Sequence, residues 1–327
     1  MSEKAPWITY RPELKVLDCT VRDGGLMNDH QFDDTFVRAV YDACVAAGLD
    51  YMEIGYKNAE RLFPSDQFGP WKHCHEEDMR RVVGDHNVQA TGLKLCAMAD
   101  AGKSDWSSEI IPSNQSVLDM IRVACYVHQI PEAVDMISHA HEQGYEVGCN
   151  IMAVSVVQDV ELDQALEVLA GTPASTVVVV DSFGALYREQ IDNLVKQYTR
   201  ALEGTGKHVG IHAHNNQQLA FANTIEAIIL GANRADATMD GLGRGAGNCP
   251  MELLIGFLRN PKFKLRPILH LMQEHFVGLR KNLEWGPLVP YNLTGQMNCH
   301  PRAAIQVRND SNRDDFVGFY DQLNADV

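Results

Sequence analysis

Short β-branched or apolar runs alternate with amphipathic stretches of helical length, and this alternation restricts the folds open to the chain more than any single motif does. The runs fall at 15–20, 51–55, 89–97, 119–124, 146–152, 176–181, 208–213 and 235–240. Eight strand-plus-helix units within roughly 250 residues have the size of a (β/α)8 TIM barrel. A doubly wound parallel sheet is the rival, because strand order is not visible in sequence.

The intervening helices read well. The stretch 32–48 sets Phe36, Val37, Val40, Tyr41 and Cys44 on one stripe and stops at Gly48; 188–204 and 219–231 also end at glycine. The connection over 100–117 is short, Ser-rich and interrupted by proline. The segment 61–75, with Pro64, Pro70 and three aromatics, is too long for a plain strand-to-helix loop and predicts a structured insertion. Beyond residue 262 the rhythm stops: 267–285 is helical by pattern and 286–302 is irregular. The expected organisation is an α/β barrel domain over 12–262 and a small, mostly helical C-terminal appendage over 263–327, serving as a lid or an oligomer contact.

Composition narrows the partners. A formal charge of −15 argues against nucleic acid and acidic membrane surfaces, which need clustered Lys and Arg. No apolar stretch approaches the roughly 20 residues of a spanning helix, and the start, Met1 to Trp7, lacks the apolar core of a signal peptide. The expected location is the cytoplasm. The eight cysteines form no C-x-x-C pair, and Cys19, Cys96, Cys125 and Cys149 sit in apolar runs where a free thiol behaves as a small hydrophobe.

In such barrels chemistry sits where the strands end. Arg22 and Asp23 follow the first run, Glu53 lies on the second, Arg122 on the fourth and Asn150 on the fifth. Asp181 ends the sixth, His212 and His214 end the seventh, and a glycine-rich stretch running to Asn248 follows the eighth. Residues i and i+2 of a strand share a face, so His212 and His214 point the same way. Such a pair fits two hydrogen-bonded histidines in a polar pocket as well as two metal ligands. Asp23, ending another strand, lets barrel closure set a carboxylate opposite them. Two imidazoles and one carboxylate with open positions suit Mn²⁺, Mg²⁺, Zn²⁺ or Fe²⁺.

Five segments, in order, carry a resemblance: Leu17-Asp-Cys-Thr-Val-Arg-Asp-Gly-Gly25, Glu53-Ile-Gly55, Asp181-Ser-Phe-Gly184, His212-Ala-His214-Asn-Asn216 and Gly241-Leu-Gly-Arg-Gly-Ala-Gly-Asn248. Over about 15–256 the chain resembles the HMG-CoA lyase-like superfamily of metal-dependent lyases and aldolases, also called DRE-TIM metallolyases. The Arg-Asp-Gly-Gly form followed by Asn28 and Phe32 is most similar to its 4-hydroxy-2-oxovalerate aldolase-like branch. The resemblance implies that Asp23, His212 and His214 hold a divalent ion, Mn²⁺ or Mg²⁺ ahead of Zn²⁺. Arg22 would face the oxygen that becomes an enolate. Asn248 resembles a residue that is a further ligand in some members and lies off the metal in others. Glu53 and Asp181 would orient ligands or substrate, or else close internal salt bridges with Arg122. The implied partners are a 2-oxo acid and an aldehyde or ketone, with a homo-oligomer as the expected assembly.

Departures from the pattern bear on the base. Where the better-known aldolases carry a histidine soon after Arg-Asp-Gly, this chain has Leu26. His30 is a candidate general base or a surface histidine at a helix entry, and Tyr291 and His300 are alternatives if the C-terminal segment covers the mouth. Cys249 follows Asn248, whereas the loop cysteine of the lyase group precedes it. The chemistry expected is a retro-aldol cleavage or its reverse. A Claisen-type condensation of an acyl-CoA, a non-haem iron oxygenase and a non-catalytic binding protein are the competing functions.

Overall fold

The computed structural model describes residues 11–308 and 310–325, so the expectation about the N-terminal start lies outside the described residues. Eight parallel strands pair in chain order: β1 (Lys15–Asp18), β2 (Tyr51–Tyr56), β3 (Lys94–Asp100), β4 (Met120–Cys125), β5 (Glu146–Ile151), β6 (Thr176–Asp181), β7 (His208–Ala213) and β8 (Arg234–Ala237). β8 returns to β1, Lys15 beside Arg234 and Asp18 beside Ala237, which closes a barrel and excludes the doubly wound sheet. Strands enclosed on both sides need no polar face, and the Thr-Val-Val-Val-Val-Asp of β6 is buried at every position.

Several boundaries differ from the sequence expectation, each for a local reason. β1 stops at Asp18 because Thr20–Gly24 winds into a turn of helix. β3 starts at Lys94: Asn87 accepts the Gln89 amide at 2.8 Å and caps a helical turn, Val88–Thr91, which takes up the first part of the predicted strand. β8 gives way at Thr238 to the 3-10 turn Met239–Gly241. The segment 286–302 is not irregular throughout, since Val289–Gln296 is a helix with Pro290 in its first turn, where a missing N–H costs nothing. The expected helix over 267–285 is Leu265–Leu271, a π segment Met272–Phe276 and Val277–Leu279. The first long helix, Asp34–Ala47, runs as expected from an Asp33 cap to a left-handed Gly48.

The lumen is layered. Leu17, Cys19, Tyr51, Cys96 and Met120 pack at the end where the strands start. Tyr56, Met98 and Ala124, with Leu26 and Met152 against them, pack where they finish. Between lie Glu53, Arg122, Asp236 and His212, all buried. Strict alternation from Tyr51 and Glu53 would turn Gly55 inward. The pairing of β2 with β3 shifts register between Glu53 and Gly55, and the extra residue brings Tyr56 to the mouth instead. Gly55 then meets the insertion, where a Cβ would stand 2.1 Å from the Trp71 carbonyl oxygen.

Beyond the barrel, Ile268, Leu271, Phe276 and Trp285 join the main core, with Phe276 packed 5.6 Å from the Phe36 ring. Tyr291, Ala304, Phe319 and Leu323 form a separate cluster with Ala246 of the glycine-rich loop. Asn298 donates to the Ser155 carbonyl at 2.9 Å and Asn216 to the Tyr291 carbonyl at 3.3 Å, so this segment reaches over the loops that follow β5 and β7. All eight cysteines are free thiols. Among the described residues no helix is long and apolar enough to cross a membrane.

Asp18 gives this core a pH dependence. Burial raises its carboxyl to about 7 from an ordinary 3.8, against hydrogen bonds from the Thr20 hydroxyl and amide. Between those values the unfolded chain has lost the proton and the folded chain keeps it, so stability falls as pH rises through that window. Asp18→Asn is expected to remove a slope of up to ~1.4 kcal/mol per pH unit, read from urea unfolding of both proteins at pH 5 and pH 7.

Candidate metal centre

His212 lies in β7 and His214 one residue beyond it, their rings 5.1 Å apart and nearly perpendicular. Asp23 arrives by a different route. The helical turn after β1, held by the Asp23 amide donating to the Cys19 carbonyl at 2.9 Å, carries its carboxylate over the lumen. Its Oδ2 lies 3.5 Å from His212 Nε2 and 3.9 Å from His214 Nε2, and one donor atom from each of the three lies within 4.8 Å of the others. Asn248 pairs by a β-bridge with His214, and its buried amide has no hydrogen-bond partner. Gly243 makes room for both, since a Cβ there would stand 2.2 Å from Asn248 Nδ2 and 2.7 Å from Asp23 Oδ1.

Below this mouth the charges close a ring. Arg22 donates through NH1 to Asp23 at 2.5 Å and through Nε to Glu53 at 2.6 Å. Glu53 lies 3.1 Å from Arg122, Arg122 donates to Asp236 at 2.5 Å, and Asp236 meets His212 Nδ1 at 3.1 Å. Every member is buried. Burial alone would raise the Asp23 pKa, but Arg22 and the two imidazoles outweigh it and hold the carboxyl well below its ordinary range. Asp236 is also lowered, Arg122 and His212 prevailing over burial. Burial lowers His214, whereas hydrogen bonds with Asp23 and Asp236 overcome burial to raise His212.

These residues fit a cation. Three carboxylates stand against two guanidiniums, so with neutral imidazoles the ring carries an excess negative charge. The buried Asn248 Oδ1 and Glu53 Oε1 lack hydrogen-bond partners, and orphaned acceptors of this kind are costly unless something fills them. The donor set, one carboxylate and two imidazoles, matches small divalent ions. A second grouping, Cys19, His212 and Asp236, fits less well. Burial drives the Cys19 thiol pKa well up, which keeps it protonated and donating to the Ala237 carbonyl at 3.5 Å.

The other sequence candidates divide. Glu53 joins both arginines, whereas Asp181 makes no salt bridge with Arg122: it accepts the Ala185 and Leu186 amides at 3.0 and 3.2 Å, and burial raises it to about 6. His30 is 1% exposed, with both ring nitrogens unpartnered, and stands edge-on 5.3 Å from the Tyr56 ring. Burial holds it well below the ordinary imidazole pKa, with Lys72 and Arg22 adding to the effect. The buried Tyr291 hydroxyl has no partner and its ring lies against Gly245. His300 packs 5.6 Å from Phe183, and burial, helped by Arg244, pushes it down to about 4. Sequence reasoning missed Asp236 and Arg244, whose amide donates to Asp23 Oδ1 at 2.8 Å and whose side chain reaches the Ser182 carbonyl. For Asp236 the signal was present: an acid in the middle of a barrel strand, two residues after Arg234.

A closed parallel barrel with a carboxylate and two imidazoles gathered where the strands end defines a class, the barrel enzyme with a cation site at its C-terminal mouth. Residues 13–273 match the HMGL-like family. The oxaloacetate decarboxylase of Mycobacterium tuberculosis is 31% identical over 255 residues, covering 77% of this chain and 71% of the relative. The 4-hydroxy-2-oxovalerate aldolase of Thermus thermophilus is 31% identical over 251 residues, covering 76% and 70%. Among solved structures, the N-terminal domain of a Bacteroides vulgatus protein matches with a TM-score of 0.76 at 28% identity, over 91% of this chain and 97% of that one. The hydroxymethylglutaryl-CoA lyase of Pseudomonas aeruginosa shares the fold, with a TM-score of 0.65 at 18% identity over 81% and 93%. The chain belongs to the HMGL-like family and is a metal-dependent carbon–carbon lyase.

Breaking the ring at one point leaves unpaired charges in the lumen. Arg122→Met is expected to cost about 3–5 kcal/mol in urea unfolding, and adding Glu53→Gln to it to recover part of that loss.

Proposed function

We propose that this lyase is an aldolase that cleaves, or in reverse forms, the C3–C4 bond of a 4-hydroxy-2-oxo acid, giving an aldehyde or ketone and the enolate of the shorter 2-oxo acid, with Mn²⁺ or Mg²⁺ as the ion. The observation that carries the reading is Asp23, His212 and His214 converging beside the Arg22 guanidinium. Asp23, His212 and His214 would hold the ion, with Asn248 adjacent. When bound, the ion supplies a Lewis acid for the ketone and carboxylate oxygens of a 2-oxo acid.

Arg22 is already oriented for its part. Glu53 and Asp23 fix Nε and NH1, and among the described residues NH2 has no partner, leaving one end of the fork for the negative charge that develops on the enolate oxygen. Glu53, held between Arg22 and Arg122, keeps that guanidinium in place. Asp181 shapes the loop after β6, and His214 donates its amide to the Asp181 carbonyl at 3.3 Å. His30, neutral and unpartnered, is the residue we assign to take the 4-hydroxyl proton. Relatives named 4-hydroxy-2-oxovalerate aldolase support this chemistry. The cytoplasmic location and small-molecule partners belong to the same proposal.

A second reading, decarboxylation of a 2-oxo diacid, is favoured by the relative named oxaloacetate decarboxylase. It would use the same ion, Arg22 and enolate, with carbon dioxide as the departing fragment.

Metal analysis of the purified protein, paired with a screen of 4-hydroxy-2-oxo acids for aldehyde release, tests the proposal. Asp23→Asn is expected to lose metal and activity together; wild-type metal content in that variant would refute the ligand assignment. Arg22→Lys should keep its metal and lose about 100-fold or more in turnover.

A further inference from the structure

The insertion after β2 carries a buried lysine that the metal centre does not use. Lys72, on the short turn Pro70–Lys72, is 5% exposed. Its ammonium stands 4.4 Å from the Tyr56 ring centroid, 4.1 Å from that of Phe63 and 5.9 Å from that of Phe68. Among the described residues no carboxylate lies within 4.0 Å of it and no group accepts a hydrogen bond from its Nζ. Asp100, the acid that acts on it most strongly, is engaged by Asn58 at 3.3 Å and Lys103 at 3.7 Å.

A purely structural role, pinning the insertion to the barrel through ring contacts, does not need this ammonium. Trp71, fully buried, donates to the Phe32 carbonyl at 2.8 Å and covers Gly55; Lys57 donates to the Cys74 carbonyl at 2.8 Å. The Asn58 amide reaches the Lys72 carbonyl at 3.2 Å. An apolar side chain would fill an aromatic cage without the cost of desolvating a charge. Burial pushes the Lys72 ammonium down to about 8, as expected of a cation short of a counter-ion.

The Tyr56 ring places this cation relative to the chemistry. That ring is also 5.8 Å from the Arg22 guanidinium and belongs to the apolar layer lining the mouth with Met98 and Ala124. Arg22 and Lys72 therefore flank one phenol, Arg22 touching Asp23 and Lys72 touching the insertion. We propose that Lys72 is the anchor for a carboxylate at the far end of the substrate, so that the substrate class is a 2-oxo acid bearing a second carboxylate. This rests on the 2-oxo acid reading above and extends it from the enolate end of the site to the leaving fragment.

Calorimetric titration of the manganese-loaded protein with 2-oxoglutarate and with 2-oxopentanoate, equal in chain length and differing in the terminal carboxylate, tests the anchor. The wild type is expected to bind the diacid about ten-fold more tightly or better, the worth of one charge-assisted contact. Lys72→Met should bring the ratio to about one, and Lys72→Arg should keep most of it. Equal affinities in the wild type, or a ratio unchanged in Lys72→Met, overturn the anchor while leaving the 2-oxo acid reading in place. If the manganese-loaded wild type binds neither acid, the proposed function fails and the anchor with it.

Discussion

The contact on which the rest of the site depends is the pair Arg22–Asp23, adjacent in sequence and buried against each other where β1 gives way to a turn of helix. Adjacent residues on an extended strand point to opposite faces. The helical turn lets both face the lumen, one reaching down to Glu53 and the other across to His212. From there signs alternate around the ring, through Arg122 and Asp236, until His212 closes it. No member could be buried alone at tolerable cost, and each makes its neighbours affordable. The imidazole that faces Asp23 with one nitrogen is steered by Asp236 through the other, so ligand orientation and barrel integrity have the same cause.

The barrel was legible because its signal is repetitive. Eight buried runs with glycine-stopped helices between them recur often enough that an error at one boundary leaves the count intact. The misplacements fall where one residue decides the local structure: Asn87 capping the first residues of a predicted strand into helix, or Asp240 taking a left-handed backbone in the 3-10 turn that follows Thr238. The histidine pair was legible from spacing, and Asp23 from family pattern more than from periodicity, which would have kept it on a strand. Asp236 and Lys72 were not singled out: the place of Asp236 in a barrel strand marked it without naming a partner, and a lone lysine has no spacing signature. Their importance comes from partners 114 residues away for Asp236, in Arg122, and from aromatic rings that only folding brings around Lys72. His30 illustrates the same gap: its place in the chain allowed a surface helix entry, and the fold buries its ring against Gly25 and beside Tyr56, with Gly69 of the insertion against its backbone.

The mouth is assembled from parts with different mechanical standing. The ligand candidates sit on a strand, a helical turn and a glycine-rich loop that a β-bridge ties to β7. The segment bearing Tyr291 and His300 has its own small apolar cluster and touches the barrel through loop contacts such as Asn298–Ser155.

The register shift in β2 has a consequence for how such a site diversifies. Below it, Glu53 is locked to the charged ring and obeys the regular pleat; above it, Tyr56 is set by one inserted residue and by the segment packed against Gly55. The single strand thus behaves as two independent halves. Under the proposed function, substitutions in the far half, at the ring of Tyr56 and in the insertion, would retune which molecule is accepted without loosening the charged ring that holds Glu53.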